Sequence, residues 1–299
     1  MGFANLTRRN IQLYFKDKAL FFTSLITPVI LLVLYMTFLA NVYKDSFASA
    51  IPEGVTVADK LLNATVGGQL FTSLLAVSCI TVAFCCNTMM VQDKISGGIK
   101  DITVSPVKNS VVAAGYYVAT LVSTIIICFV ACGACFIYLA NNGWYMNGND
   151  VITILATVLL MCMFGTSLSC VLNGLTKTQG QASAIGTIIS AGYGFICGAY
   201  MPIYSFSAGL RNVLMYLPGT YGTSLIRNIV LRGVFEEMGN VGFPEDVVEK
   251  IKDSIDCNIY FNGTKVTLPA MYIVVGVSTI LFILLFIIIN RLNSVKHKK

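Results

Sequence analysis

Residues 92–110 read QDKISGGIKDITVSPVKNS, and this polar stretch lies between two long apolar runs. It contains three lysines, the glycine pair Gly97 and Gly98, and the dipeptide Ser105-Pro106. Apolar runs of about 20 residues are long enough to cross a bilayer as helices. The stretch is therefore predicted to be a short loop between two membrane spans, and the side of the membrane on which it lies decides its role.

The composition of the whole chain indicates an integral membrane protein. Of its 299 residues 56% are hydrophobic and 11% are charged, whereas a soluble domain carries about 25% charged residues. Six apolar runs reach the length of a bilayer-spanning helix. These runs lie at about 20–40, 68–91, 110–140, 151–172, 182–200 and 269–290. We predict an all-α membrane protein with six transmembrane helices, in which residues 1–299 form a single transmembrane domain.

The distribution of basic residues predicts the orientation of these spans. If the six runs alternate across the membrane, one side receives twelve of the 20 Lys and Arg residues but only three of the 14 acidic residues. Lys and Arg concentrate in short cytoplasmic loops. Both termini and residues 92–108 are therefore predicted to lie inside, in a cytoplasmic membrane that the chain crosses several times.

Residues 1–18 precede the first span and are predicted to form a helix in the membrane interface. Phe3, Leu6, Leu13 and Tyr14 fall near one face of that helix, and its basic residues lie mostly elsewhere. A basic amphipathic helix of this kind lies along a bilayer surface. The alternative interpretation is an ordinary basic flank of the first span.

The positions of the ionisable residues exclude several functions. All 14 acidic residues fall outside the six runs, and no run has Lys or Arg in its middle. Proton-coupled carriers depend on such groups inside the membrane. The single histidine is His297 in the basic tail, which excludes histidine-dependent catalytic and zinc sites. No G-x-x-x-x-G-K-[ST] phosphate loop occurs in the sequence, so the chain is not predicted to hydrolyse ATP by that route.

Nine of the ten cysteines lie in or beside the apolar runs, and Cys257 lies in a polar loop. Cys128, Cys132 and Cys135 share one helix face. Thiolates at this spacing would suit a soft metal ion. A thiol in apolar surroundings stays protonated, however, and small residues favour close packing of spans. We predict packing roles for these residues, no metal site and no intrachain disulfide framework.

The fifth run carries a small residue at every fourth position. The members of this stripe are Ala182, Gly186, Ser190, Gly194 and Gly198. Small residues at this spacing let another helix approach closely, either within the subunit or across a dimer. Helix packing is the first interpretation, and lining of a substrate path is the second.

Residues 202–231 are predicted to form a re-entrant hairpin. Pro202 ends the preceding helix, and Pro218 with Gly219 marks a turn between two apolar pieces that are too short to span a bilayer. Irregular backbone at membrane depth is tolerated only where protein or a wet cavity covers it.

Residues 232–268 are predicted to form a small external segment. Val248, Ile251 and Ile255 occupy one face of an amphipathic helix. Asn262-Gly263 is typical of the turn of a short strand pair. Asn262 also begins an Asn-Gly-Thr glycosylation sequon, which leaves its modification open.

Two motifs, together with this topology, resemble those of ABC type-2 permeases, the membrane subunits of type V ABC exporters. The first motif comprises Asp93, Lys94, Gly97, Ile99, Ile102 and Ser105-Pro106. It differs from the family pattern at Gly98, where Thr is usual, and at Lys100, where an acid is usual. The second motif is Pro202 followed by Pro218-Gly219-Thr220-Tyr221, which is similar to the family's Pro and Pro-x-Thr-Tyr signature. The resemblance covers the whole chain.

The resemblance implies that residues 92–108 transmit force from a separate ABC ATPase subunit, which would hold the ATP and magnesium. No cofactor is implied on this chain. The implied contacts with the ATPase are Asp93, Lys94, Gly97, Ile99, Lys100, Ile102 and Pro106, with Ile102 in an apolar socket of the partner.

The resemblance also implies a dimer with a second copy or a paralogue, and a substrate path along spans two and five. The residues expected on that path are Phe71, Phe84, Ser190, Tyr193 and Phe195. An amphipathic or apolar substrate, such as a drug, an antibiotic or a lipid-like molecule, is expected to leave the cell. Glycan export is the alternative within the family, and a membrane enzyme or sensor is the alternative outside it. Membrane lipid is an expected partner and nucleic acid is not.

Overall fold

The computed structural model describes residues 2–35, 37, 40–41, 59–99, 102 and 107–296. Most of these residues are helical. The helices are α1 (Phe3–Lys16), α2 (Lys18–Leu34), α3 (Asp59–Ser96), α4 (Asn109–Asn142), α5 (Gly148–Leu175), α6 (Gln179–Ile196), α7 (Ala208–Leu214), α8 (Pro218–Val230), α9 (Arg232–Asn240), α10 (Glu245–Ser254) and α11 (Leu268–Lys296). Two short strands, β1 (Tyr260–Phe261) and β2 (Thr264–Lys265), lie between α10 and α11.

Four helices, α3, α4, α5 and α11, are long and apolar enough to cross a membrane. α1 and α2 pass the same test together as a pair bent by 73°, which gives a fifth candidate. α6 coincides with the predicted fifth run, but it has only 18 residues and carries Gln179 and Gln181 in its first turn. The all-α membrane architecture is confirmed, and the sixth span stays a prediction.

α1 and α2 meet at Asp17, whose carboxylate accepts a hydrogen bond from the backbone N–H of Leu20 and so caps the start of α2. Leu6, Asn10 and Tyr14 form the buried face of α1, which packs against α4. Phe3 and Leu13 are exposed. α4 therefore covers only part of the predicted apolar face, and the position of α1 in the membrane interface stays a prediction.

α3 is the central element of the fold. Every residue from Ala64 to Phe84 is buried, and the helix packs against α2, α4, α5, α6 and α8. Gly165 of α5 allows a close approach, because a Cβ at this position would collide with the backbone carbonyl of Cys79. α3 also extends beyond its predicted range of 68–91 at both ends, and at its C-terminal end Asp93 and Lys94 have partners elsewhere in the chain.

The segment after α6 contains a 3₁₀ turn at Ile203–Ser205 and the short helices α7 and α8. α8 is buried along most of its length and packs on α3, α5 and α11. Gly222 of α8 lies against Met161, in the middle of α5, whereas Arg232, just beyond α8, pairs with Asp150 in the first turn of α5. α8 thus extends from the first turn of α5 to its midpoint, and its re-entry into the membrane stays a prediction.

The predicted elements of the segment 232–268 are confirmed. α10 buries Val248 and Ile251, as its apolar face requires. β1 and β2 pair with Tyr260 opposite Lys265 and Phe261 opposite Thr264. Asn262 and Gly263 join the strands with φ of 48° and 80°, the left-handed values of a tight hairpin turn.

Candidate functional site: an uncharged groove and the link beside it

A groove of about 760 Å³ lies between α2, α3 and α6. It begins near Leu20 and Ala182, in the first turns of α2 and α6, and reaches Phe195 and Tyr200 at its other end. At about 1.5 Å per residue, the stretch of α6 from Ala182 to Phe195 is about 20 Å long. The groove therefore follows much of the roughly 30 Å thickness of a bilayer core.

The walls of the groove are apolar with scattered hydroxyl groups. None of the described residues that line it is charged. Thr23, Thr88 and Thr187 each donate their hydroxyl proton to the carbonyl four residues earlier in the same helix, at 2.7, 3.1 and 2.9 Å. Their oxygen lone pairs remain available as acceptors. The groove is thus suited to a neutral molecule with a large apolar surface and a few hydrogen-bond donors.

The structure brings three of the five expected path residues together. Phe84, Ser190 and Phe195 line the groove. Phe71 instead packs on Phe136 with ring centroids 5.3 Å apart and faces a smaller cavity of about 200 Å³ between α2, α3 and α4. Tyr193 is buried and does not line the groove, because its ring lies against Gly219 of α8. Phe71 and Tyr193 are therefore packing residues.

The stripe of small residues on α6 is divided between the two roles that the sequence left open. Ala182, Gly186 and Ser190 line the groove, and no other part of the described chain lies within 4 Å of a Cβ placed on Gly186. Gly194 lies against the ring of Tyr200, and Gly198 has a φ of 73° beyond the end of the helix. The first three members thus leave room for a ligand, and the last two permit local packing.

Two aromatic rings close one end of the groove. Phe195 and Tyr200 form an edge-to-face pair with centroids 5.1 Å apart, a favourable geometry for aromatic rings. Phe195 remains 51% exposed. About half of the Phe195 side chain is therefore not covered by the described part of the chain.

At the opposite end, the start of the predicted coupling segment is tied to the body of the protein. Asp93, in the last turn of α3, accepts hydrogen bonds from Arg9 at 2.8 Å and from the Tyr116 hydroxyl at 2.5 Å. Arg9 belongs to α1 and Tyr116 to α4. One carboxylate thus joins three helices. Its hydrogen bonds are made within the chain, so it does not face outward as a contact for a partner.

Lys94 joins α3 to the connection between α5 and α6. Its Nζ donates to the carbonyl oxygens of Gly174 at 2.9 Å and Thr176 at 2.7 Å. A cation is favourable at these unpaired carbonyls of a helix C-terminus. Gly97 follows with φ of 87° and ends α3, because a left-handed residue cannot continue the helix. Lys94 therefore connects the central helix to one wall of the groove.

The remaining residues of the link are placed differently from the expectation. Ile102 is buried against its own chain, in a cluster with Leu6, Val112 and Phe286, and Ile99 packs beside it. The expected insertion of Ile102 into a socket of the ATPase is therefore not supported by its position. Lys100 and Pro106 lie outside the described residues. Ile95, which the sequence analysis missed, is 44% exposed one residue after Lys94.

The residues of the predicted hairpin hold α8 in place. Pro202 precedes the 3₁₀ turn and Pro218 is the first residue of α8, where a missing N–H is tolerated. The Tyr193 ring packs against Gly219, and the Tyr221 hydroxyl donates a hydrogen bond to the Met215 carbonyl at 2.6 Å. These contacts fix the wall behind α6 rather than the groove itself.

Reasoning from the sequence missed the polar lining that α2 contributes to the groove. Thr23 and Thr27 are four residues apart in α2, and Ser183 and Thr187 repeat this spacing in α6. Hydroxyl residues at this spacing in an apolar run mark one helix face. This signal, read in both runs together, would have identified the two facing walls.

Comparison with known protein families gives one match. The model of the ABC-2 type transporter family matches residues 1–231 of the 299-residue chain. The matched range includes α1 to α8, and therefore both the groove and the link. No curated protein matches the chain.

Proposed function

Because the chain belongs to the ABC-2 type transporter family, we propose that it exports neutral amphipathic or apolar molecules along the groove between α2, α3 and α6. Membership of the family makes it a multi-pass permease subunit that associates with ABC ATPase subunits and has no ATPase site of its own. The substrate class and the outward direction are the proposal. Drugs, antibiotics and lipid-like molecules have the required chemistry.

The observation that carries the proposal is the absence of charge along the described lining of the groove. An ionised group costs about 2.5–3.5 kcal/mol at the centre of a bilayer on insertion scales, and this groove offers no partner to offset that cost. A sugar polymer presents a hydroxyl on nearly every carbon and would need many polar partners. The uncharged and mostly apolar lining of the groove therefore favours a compact apolar substrate over a glycan.

A second permease subunit would complete the path. α6 buries only Ala182, Tyr193 and Gly194 against its own chain, and Phe22 and Ile188 are more than 60% exposed beside the groove. Small residues with open space support close approach of another copy or a paralogue. In such a dimer two grooves would face each other and form one cavity.

The link would transmit the closure of the ATPases to this cavity. Asp93 and Lys94 tie the end of α3 to α1, α4 and the α5–α6 connection. A displacement of residues 95–107 would therefore reach the start of α6, which is a wall of the groove. This mechanism places the link and both termini on the cytoplasmic side of the cell membrane, where ATP is available.

Filling the groove tests the transport proposal. Gly186→Trp should abolish ATP-dependent movement of a neutral amphipathic dye in proteoliposomes that contain the permease and its ATPase, because the indole occupies the space beside α6. Gly276→Trp is the matched control, since Gly276 is also a helical glycine with open space around it, in α11. Equal transport by both variants would refute the groove as the path.

A substitution at Ile95 tests whether the start of the link contacts the ATPase. An aspartate in place of Ile95 should reduce co-purification of the ATPase at least tenfold, because an unpaired carboxylate in a protein interface costs a few kcal/mol. Val241→Asp in the segment 232–268 is the control, as Val241 is similarly exposed at 42% against 44% for Ile95. If Ile95→Asp retains the ATPase as well as the control does, the contact surface lies elsewhere.

A further inference from the structure

Three cysteines from three different helices meet in the centre of the protein. Cys79 of α3, Cys128 of α4 and Cys162 of α5 place their sulfur atoms within 4.8 Å of one another. The Sγ atoms of Cys79 and Cys162 are 3.8 Å apart. All three side chains are fully buried. The sequence shows only that Cys128 shares a helix face with Cys132 and Cys135, so its partners from other helices become visible only in the fold.

The separations of the sulfur atoms suit a single three-coordinate centre. With a bond of about 2.3 Å, the length found for thiolate sulfur on zinc, three sulfurs around one atom lie about 3.5–4 Å apart. The Cys79–Cys162 pair already has this separation. The cluster therefore needs only small side-chain shifts to surround one soft atom, the class that sulfur ligands select.

The surroundings restrict the charge of a ligand. Each of the three cysteines lies near the middle of a helix that can cross a membrane, and no apolar run has Lys or Arg in its middle. Three thiolates around a divalent ion carry one net negative charge, and around a monovalent ion they carry two. An uncompensated charge is costly in this environment. A trivalent centre with three thiolates is neutral.

We propose that Cys79, Cys128 and Cys162 form a binding site for a trivalent thiophilic metalloid, supplied as its neutral hydroxide, with arsenous acid as the representative. Three As–O bonds break and three As–S bonds form. Each thiol proton leaves on a displaced hydroxyl group, so three water molecules are released. Arsenic stays trivalent, no oxidant is needed, and the net charge is zero before and after the reaction.

Binding would clamp α3, α4 and α5 to one another at mid-length. These helices pack closely as the body against which α2 and α6 rest. Because the three thiols are fully buried, loading requires a transient separation of the helices and is therefore slow. The site is independent of the groove, and its existence does not depend on the proposed direction or substrate of transport.

The test uses the full chain in lipid nanodiscs, incubated with sodium arsenite and freed of excess by gel filtration. Elemental analysis should find about one arsenic per chain after overnight incubation, and X-ray absorption should show three As–S bonds and no As–O bond. Cys79→Ser, Cys128→Ser and Cys162→Ser should each lower the retained arsenic at least tenfold. Cys132→Ser and Cys135→Ser are matched controls, because both thiols are buried on the same helix as Cys128, and they should retain it fully.

Several results would overturn the proposal. They are a folded wild-type chain that retains no arsenic, retention that survives all three single substitutions, or a centre with fewer than three sulfur ligands. A parallel incubation with a zinc salt tests whether the site selects a neutral complex. Zinc that binds more tightly than arsenite would refute that selection. Thermal melting separates loss of the site from misfolding: arsenite should raise the Tm of the wild type and of Cys132→Ser but not that of Cys162→Ser.

Discussion

α3 and α6 are similar in composition, but the protein surrounds them in opposite ways. Both helices carry glycine, alanine and hydroxyl residues through an apolar sequence. α3 is buried on every side from Ala64 to Phe84, whereas α6 buries only three of its 18 residues. Small residues therefore have two uses in this fold: in α3 they permit dense packing, and in the first part of α6, at Ala182, Gly186 and Ser190, they leave open space beside a groove.

The difference separates a densely packed body from a loosely packed wall of the groove. A densely packed interior transmits strain and resists changes in volume, as a support for moving parts must. A helix with few buried contacts opens at a lower free-energy cost. Substitutions in the body should therefore change stability, and substitutions in the wall should change transport.

The largest effect is expected at Arg227, which joins α8 to the segments that follow α6 and α10. Its side chain is 1% exposed, donates to the Gly198 carbonyl at 2.9 Å and pairs with Asp256 at 3.7 Å. Arg227→Leu leaves the Asp256 carboxylate buried without its cation, which should cost about 3–5 kcal/mol of unfolding free energy. Denaturant unfolding in detergent measures it. Arg211→Leu, whose arginine is partly exposed near Tyr204, should cost much less, and equal losses would show that burial of the Arg227–Asp256 pair does not set the cost.

The same substitution at two glycines compares body and wall directly. Gly165→Ala forces a methyl group against the Cys79 carbonyl and should destabilise the protein by about 1–3 kcal/mol. Gly186→Ala meets no neighbour and should be neutral or stabilising by up to about 1 kcal/mol, because alanine favours the helix. Thermal melting of both variants tests whether the two substitutions change the stability in opposite directions. Two destabilised variants would show that α6 is packed after all.

A substitution at Lys94 tests the connection between α3 and the start of α6. Its expected effect on the free energy of unfolding is smaller. Lys94→Met removes two hydrogen bonds to the carbonyls after α5, which should cost about 1 kcal/mol. Its larger consequence should be on coupling: ATP hydrolysis by the complex should persist while dye transport falls. Lys177→Met, at the exposed start of the same connection, is the control. Unchanged transport in Lys94→Met would remove this connection from the mechanism.

The smallest effect is expected in the segment 232–268, on the pH dependence of its stability. The Lys265 ammonium donates a hydrogen bond to Glu249 and holds the pKa of that carboxyl below its ordinary value of 4.5. Because the folded state lowers this pKa, the contribution to stability is present above pH 4.5 and is lost as the pH falls through the folded-state pKa.

The Glu249–Lys265 pair is exposed, so its contribution is about 0–1 kcal/mol. Hydrogen exchange of residues 245–265 between pH 3 and 6 measures it. Glu249→Gln should flatten the dependence and Glu245→Gln should not. A profile unaffected by Glu249→Gln would mean that the ion pair contributes nothing measurable.

Much of the architecture could be predicted from the sequence because its signals are local. Apolar runs of spanning length predicted α3, α4, α5 and α11, and Asn262-Gly263 predicted the strand pair. Pro202 and Pro218 predicted the break and the turn around α7 and α8. These features depend on bilayer thickness or backbone sterics, which act on a few neighbouring residues at a time.

The partners of individual side chains could not be predicted in the same way. Phe71 and Phe84 occupy the same apolar run, yet only Phe84 lines the groove. Ile102 turns into its own chain, and Ile95 remains exposed. A helix buried on all sides shows no amphipathic period, so its sequence does not reveal which neighbour each side faces.

The sequence by itself therefore determined that this chain crosses a membrane, and its motifs indicated an ABC permease. Transfer of apolar groups out of water and the steric limits of proline and glycine are sufficient reasons for those features. Only the tertiary structure decided that Ala182, Gly186 and Ser190 face open space, and that Cys79, Cys128 and Cys162 meet. Such contacts join residues far apart in the chain, and they depend on how helices of different sequence fill space against one another.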